Sequence, residues 1–176
     1  MSDPRYQYER VNVVKVIVQN PEGKVLLIQE PETNEWMPLH WGLPGGKPLA
    51  KESLYKAFKR KMQEELGQDI EPEGIFRIEE LLVEGRTVLM FHAVAKVGEI
   101  SLSGESKSYK WMDSNDIEKM DVSEFTEYFN KKLLLAYLTG DKKLVGFDLI
   151  EAQNYYDSED EPEYKRWFES GESHAK

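Results

Sequence analysis

Between Gly42 and Gln68 the chain sets out a glycine cluster, a short gap, and then charged residues at helical spacing. Gly42-Leu43-Pro44-Gly45-Gly46 is followed by Glu52, then by Arg60, Lys61, Glu64 and Glu65, and the stretch closes on Gly67. Glycines ahead of a helix let the backbone turn tightly and approach a ligand closely. The bare N–H groups and positive end of a helix suit phosphate oxygens. A plain turn is the alternative reading of such a cluster. Carboxylates downstream are hard oxygen donors, of the kind that hold Mg²⁺ or Mn²⁺ and, through the ion, a phosphorylated ligand. The chemistry these residues suggest is that of a phosphate-bearing small molecule.

The helix that carries the charges is legible from its apolar residues. Leu54, Ala57, Phe58, Met62 and Leu66 fall at i, i+3, i+4, i+8 and i+12, which predicts a helix over Lys51 to Leu66 with Gly67 as its end. Residues advance about 100° each along a helix. With Lys61 at zero, Glu65 lies at about +40° and Glu64 at about −60°, while Leu54 and Phe58 lie near +20° and +60°. Glu65 therefore falls inside the apolar stripe. A buried carboxylate is costly unless it is paired or metal-bound. Glu64 is compatible with an ordinary solvated face. Lys61 lies between the two glutamates, three and four residues away, where it can pair with either.

These residues resemble the motif of the Nudix family, G-x5-E-x7-R-E-U-x-E-E-x-G-U, where U is a bulky aliphatic residue. Gly46, Glu52, Arg60, Met62, Glu64, Glu65 and Gly67 match it. Lys61 stands where the family has glutamate, and Gln68 where it has an aliphatic residue. The lead-in Trp41-Gly42-Leu43-Pro44-Gly45-Gly46 is similar to the family's as well. The resemblance implies an α/β (α+β) fold, an α/β/α sandwich with a mixed β-sheet flanked by helices, over residues 1–145. It implies that Glu64 and Glu65, with the Gly45 carbonyl, hold Mg or Mn. It places Gly45, Gly46 and Arg60 beside the substrate, and makes Glu52 and Arg60 the pair that braces the loop on the helix. Catalytic roles fall to Glu64, Glu65, the position of Lys61, and a distal base for which Glu105, six residues before Trp111, is the candidate. Ser108 stands where another acid is often found, and Glu79 and Glu80 are further acids with no motif behind them.

Two functions follow. One is hydrolysis of a nucleoside diphosphate linked to another moiety: a nucleoside triphosphate, a nucleotide sugar or an ADP-ribose type. The other is a catalytically weakened module that binds a nucleotide for a regulatory or interaction role, since a protonated lysine cannot ligate Mg²⁺. The intact Glu52, Arg60, Glu64 and Glu65 favour the first; Lys61 and Ser108 favour the second.

Other elements must position this stretch. Val11 to Val18 is rich in β-branched residues and predicts a strand, Asn20-Pro21-Glu22-Gly23 a type I turn, and Lys24 to Gln29 the returning strand. Glu30 to His40 is a loop, and Trp41 to Gly46 is too rich in glycine for a regular element. Ile75 to Val83 and Thr87 to Val97 read as paired strands, and Ser106 to Met112 as a short one. Asp113 or Ser114 caps a short helix to Met120. Asp121 with Glu124 resembles a capping box for a longer helix ending near Gly140, with Phe125, Tyr128, Phe129, Leu133 and Ala136 as its buried stripe. His40 adjoins the glycine loop and either touches substrate or is an ordinary loop residue; His92 is expected to be packed in its strand. Trp36, Trp41 and Tyr109 are either stacking platforms for a base or core residues.

Composition narrows the partners. A net charge of −10 on 176 residues argues against a nucleic-acid polymer. No run of apolar residues is long enough for a membrane span, and the first residues lack the layout of a signal peptide. The absence of cysteine fits a reducing compartment, and a cytoplasmic location is expected. The partner is a nucleotide-type small molecule, and a homodimer is allowed. Residues 146–176 read as an acidic, partly mobile extension, in which Tyr164, Trp167 and Phe168, beyond Asp157, are the candidates for docking on the domain. Removal of residues 158–176 is expected to leave the thermal midpoint within about 10 °C of the full chain. A larger drop on melting the truncated protein would mean that Trp167 or Phe168 packs on the domain.

Overall fold

A computed structural model of the chain describes residues 9–145, apart from 36, 84, 99, 101–107 and 141. Glu105, Trp36 and the extension after residue 145 lie outside the described residues. In chain order the elements are β1 (Glu9–Gln19), β2 (Val25–Gln29), β3 (Trp41–Gly42), β4 (Gly45–Gly46), α1 (Leu54–Leu66), β5 (Gly74–Val83), β6 (Arg86–Lys96), β7 (Ser108–Met112), α2 (Ser114–Lys119) and α3 (Asn130–Thr139).

The turn between β1 and β2 forms as the sequence predicts. Gly23 donates its N–H to the Asn20 carbonyl at 3.0 Å, and the Asn20 side chain accepts from the Lys24 N–H at 2.8 Å. The strands run in the order β3-β2-β1-β6-β5, with β4 added on β1 and β7 on β2. β1 and β6 are parallel from Glu9↔Arg86 to Gln19↔Lys96, and the other pairs are antiparallel. The sheet is therefore mixed, as expected. Both strands of the central pair are covered on two faces, which explains their long apolar runs.

Alternation along β1 divides the core. Val14, Val16 and Val18 face Ala57, Phe58, Met62 and Leu66 of α1. Ile17 faces the other way, with Val25, Leu27 and Val94, against Ile117 of α2 and Leu133, Leu134 and Tyr137 of α3. Each fully buried Leu or Phe in these layers adds about 2 kcal/mol of transfer free energy. The result is the α/β/α sandwich, with α1, among the described residues, on one face and α2 and α3 on the other.

The ends of α1 are set locally. The Ser53 hydroxyl accepts from the Lys56 N–H at 3.2 Å, so the helix starts at Leu54 rather than Lys51. Gly67, at φ 65°, closes it in the left-handed conformation.

The long helix expected from Asp121 does not form. Its capping box is real, but it caps only the 3-10 turn Val122–Glu124. Phe125 then turns extended and is 3% exposed, while the Thr126 N–H donates to the Trp41 carbonyl at 2.9 Å. A continuous helix could not give Trp41 this partner while seating Phe125 in the core. α3 begins at Asn130, and its buried face is Asn130, Leu133, Leu134 and Tyr137. Tyr128, expected in the stripe, is 74% exposed. A second difference is smaller: the glycine stretch holds two short bridges, β3 on β2 and β4 on β1.

Candidate active site

The glycine loop is pressed onto the middle of the sheet. Gly45 sits opposite Lys15 and Gly46 opposite Val14, and the Val16 N–H donates to the Pro44 carbonyl at 2.8 Å. Gly45 has φ +135°, and a Cβ on it would lie 2.1 Å from the Val14 carbonyl oxygen. No other residue fits there. Its N–H donates to Glu65 Oε2 at 3.0 Å, tying the loop to the last turn of α1 across 20 residues.

Glu65 is 6% exposed, within the apolar stripe where its helical position put it. Burial raises its carboxyl above the usual carboxylate range, and the Gly45 N–H, Lys61 and Lys15 oppose that rise.

Arg60 holds the other side of the loop. Its Nε and one terminal nitrogen donate to both oxygens of Glu52, at 2.9 and 2.8 Å. The same nitrogen donates to the Lys47 carbonyl at 3.1 Å, and the other reaches both oxygens of Glu64 at 3.1 Å. Glu52 also accepts from the Leu49 N–H at 2.7 Å. The Arg60 contact holds the Glu52 carboxyl below its ordinary range, and Glu52 in turn raises Arg60. This two-pronged pair joins the loop to the helix.

Lys61 completes the cluster. Its Nζ stands 2.9 Å from Glu64 Oε2 and 3.4 Å from Glu65 Oε1. The Lys61 contact is the first cause of a lowered Glu64 carboxyl, ahead of Arg60. The lysine stem lies on Gly46, where an added Cβ would be 2.7 Å from Lys61 Cε. Lys61, Glu65 and Gly45 line one cavity of about 230 Å³, together with Ile28, Gln29 and Glu30.

The geometry is thus a glycine loop bound to a buried glutamate and braced by an arginine eight residues from its partner. The sequence profile of the NUDIX domain matches residues 9–133. The chain belongs to the NUDIX family. Its enzymes are hydrolases that act on nucleoside diphosphate derivatives. This NUDIX chain is similar in structure to the MutT protein of Methanosarcina mazei Go1, with 25% identity and a TM-score of 0.61, over 71% of this chain and 94% of that one. It also resembles a NUDIX hydrolase of Nitrosomonas europaea, at 19% identity and a TM-score of 0.64, over 78% and 94% of the two chains. The E. coli dihydroneopterin triphosphate pyrophosphohydrolase shares the fold at 15% identity and a TM-score of 0.57, over 74% and 97%. A sequence comparison with curated proteins gives no match.

NUDIX hydrolases generally use divalent ions such as Mg or Mn. The residues present here do not fit such an ion as they stand. Glu64 is held by Arg60 and Lys61, and Glu65 by Lys61 and the Gly45 N–H. Among the described residues, no three acidic or histidine side chains converge as a ligand set.

The remaining candidates scatter. His40 is half-buried, and its Nδ1 lies 2.8 Å from the Pro38 carbonyl. Trp41 is 8% exposed and belongs to the core, with the Lys110 ammonium 4.2 Å from its ring centre. Tyr109 is exposed on β7. Glu79 and Glu80 sit on the edge strand, opposite Met90 and Leu89, and line neither described cavity. Ser108 donates to the Gln29 side chain at 2.9 Å.

Sequence reading missed one pair beside the loop. Lys15 Nζ lies 3.5 Å from Glu127 and 3.3 Å from the Leu43 carbonyl, with both side chains under one-fifth exposed. Burial works to raise Glu127, yet Lys15, Thr126 and Asn130 outweigh it and hold the carboxyl low. The available signal was a lone lysine within the apolar run of β1, a position that requires a partner.

The brace gives a direct expectation. Arg60→Met should cost about 2 kcal/mol, between the values for exposed and buried pairs, because Glu52 is left without its main partner. The thermal midpoint should fall by about 6 °C. A midpoint unchanged in a melting experiment would show that the Gly45–Glu65 and Leu49–Glu52 contacts hold the loop without Arg60.

Proposed function

We propose that this domain takes a nucleoside diphosphate linked to another group and hydrolyses its phosphoanhydride, at a rate held down by Lys61. The substrate class is a nucleoside triphosphate, a nucleotide sugar or an ADP-ribose type. The observation that carries this reading is the loop-to-helix joint: Gly45 N–H on the buried Glu65, with Glu52 and Arg60 clamping the far side. The glycine loop held by this joint is the proposed contact for phosphate oxygens, since glycine lets a ligand approach the backbone closely. Gly45, Gly46 and Arg60 are the proposed substrate-side residues. Water attacks phosphorus, the bridging P–O bond breaks, and the leaving phosphate keeps the electron pair. Glu65 and Glu64 are the proposed acceptors of the water's proton, and Glu105 the alternative. Burial helps Glu65 here, since it strengthens a carboxylate as a base.

Mg or Mn is the cofactor that family membership brings to this reading, and Glu64, Glu65 and the Gly45 carbonyl are its proposed ligands once Lys61 is out of the way. A small-molecule nucleotide is the proposed partner, in a cytoplasmic setting, with a homodimer as the proposed assembly. Among the described residues no helix is long and apolar enough to cross a membrane.

The second reading is a nucleotide-binding module without turnover, and the 2.9 Å Lys61–Glu64 contact favours it. A nucleotide panel, assayed for product release and for binding with and without Mg²⁺ or Mn²⁺, separates the two. Slow release of a nucleoside monophosphate supports hydrolysis. Binding with no release on any nucleotide leaves the module. Neither binding nor release on the whole panel would end both.

A further inference from the structure

We infer that the Lys61 ammonium is a tethered stand-in for one divalent ion, so that this site is cation-loaded without a metal. The inference rests on the nucleotide-site reading and names how that site handles charge. The ammonium stands between Glu64 and Glu65, at 2.9 and 3.4 Å, within reach of an oxygen of each. It is held there rather than merely attracted. Its stem lies along Gly46, where a Cβ would stand 2.7 Å from Lys61 Cε, so the bare glycine leaves the lysine its path to the two glutamates. Its neighbour Arg60 takes both oxygens of Glu64 from the other side.

The charge count agrees. Three carboxylates with one divalent ion carry a net charge of minus one. Two carboxylates with one ammonium, as found here, carry the same. Exchanging a motif glutamate for lysine therefore supplies the charge change that binding one divalent ion would supply. The cavity beside Gly45, Lys61 and Glu65 meets its ligand with that charge already in place. Two consequences follow. Divalent ions should not compete for the position between the glutamates, and binding of a diphosphate should not depend on them.

The test is Mn²⁺ uptake, read by electron paramagnetic resonance of the free ion, on the full chain and on Lys61→Met and Lys61→Glu. Methionine keeps a stem on Gly46 and removes the charge; glutamate restores a third carboxylate. Binding is counted only where Glu65→Gln, made in each background, abolishes it, which sets aside weak uptake by surface acids. The expected order is wild type below Lys61→Met below Lys61→Glu, with at least about 30-fold between the ends. In a second arm, titration with ADP-ribose in EDTA and in Mg²⁺ should give wild-type affinities within about twofold of each other, and a loss of more than about tenfold in EDTA for Lys61→Glu. Should Lys61→Glu fail to fold, the wild type and Lys61→Met decide. Wild-type uptake equal to that of the variants overturns the inference, and so does negligible uptake by all three. Failure to bind ADP-ribose, pyrophosphate or any nucleotide in either condition would instead count against the nucleotide-site reading, while the Mn²⁺ arm still decides the role of Lys61.

Discussion

Lys61→Glu should raise Mg²⁺-dependent hydrolysis of the preferred nucleotide at least tenfold over wild type. The expectation follows from charge at short range. A cation placed near Glu64 and Glu65 in the wild type meets an ammonium already in contact with both. At about 4 Å and an effective dielectric of 20, a divalent ion and an ammonium repel by roughly 8 kcal/mol before screening. The lysine can swing away, so most of that is relieved. A quarter of it still weakens the ion about 30-fold. Glutamate removes the repulsion and adds an oxygen donor on the same face of α1. Arg60 continues to hold Glu64 and Glu52, so the loop should stay in place. Product release by wild type and variant, with and without Mg²⁺, measures the effect. Fast wild-type turnover that the variant does not exceed would mean that Lys61 is no brake, and that another residue supplies what the motif glutamate supplies elsewhere.

Acid should destabilise the domain through His92. This residue is fully buried in β6, with the Phe129 ring edge-on at 5.8 Å, and neither ring nitrogen has a hydrogen-bond partner among the described residues. Burial drives its pKa down from 6.5 to about 4, against the pull of Glu127. The unfolded chain thus takes up a proton between pH 6.5 and 4 that the folded chain refuses. The stability this neutral histidine contributes is present above the unfolded pKa and is lost as pH falls through that window. A shift from 6.5 to about 4 corresponds to about 3 kcal/mol in full, of which about 2 kcal/mol is lost between pH 7 and pH 5. Other groups act elsewhere. Glu52, Glu64 and Glu127 are held low, so their contributions fail only at more acid pH. The raised Glu65 works in the opposite sense, favouring the fold as pH falls. Urea unfolding at pH 7 and pH 5, for wild type and His92→Leu, isolates the histidine. The wild type should lose about 2 kcal/mol more than the variant. Equal losses would mean that His92 is protonated in the folded state.

The parts of the site legible in the sequence are those set by one helix and its flanking loop. Glu65 inside the apolar stripe, Lys61 between the two glutamates, and Gly67 as the helix end all follow from a period of 3.6 residues, and all appear in the fold. The Glu52–Arg60 pair came from the family resemblance, and the two side chains meet in the fold. What was not legible depends on contacts across the chain. Lys15 meets Glu127 only because β1 passes under the loop and the segment before α3 crosses it. The capping box at Asp121 is the same signal whether a helix or a single turn follows. Phe125, drawn into the core beside Trp41, decides in favour of the turn, and no local pattern encodes that competition. The residue matched to a distal base, Glu105, lies outside the described residues.

The proposed site for a diphosphate-bearing nucleotide lies against the glycine loop and the Lys61 face of α1. Amide chemical-shift mapping of the isotope-labelled wild-type chain with ADP-ribose in EDTA tests it most directly. The largest shifts should fall at Gly45, Gly46, Lys61 and Glu65, with Glu79 and Glu80 on the edge strand unmoved. Shifts confined to the edge strand, or none at saturating ligand for this and every nucleotide of the panel, would contradict it.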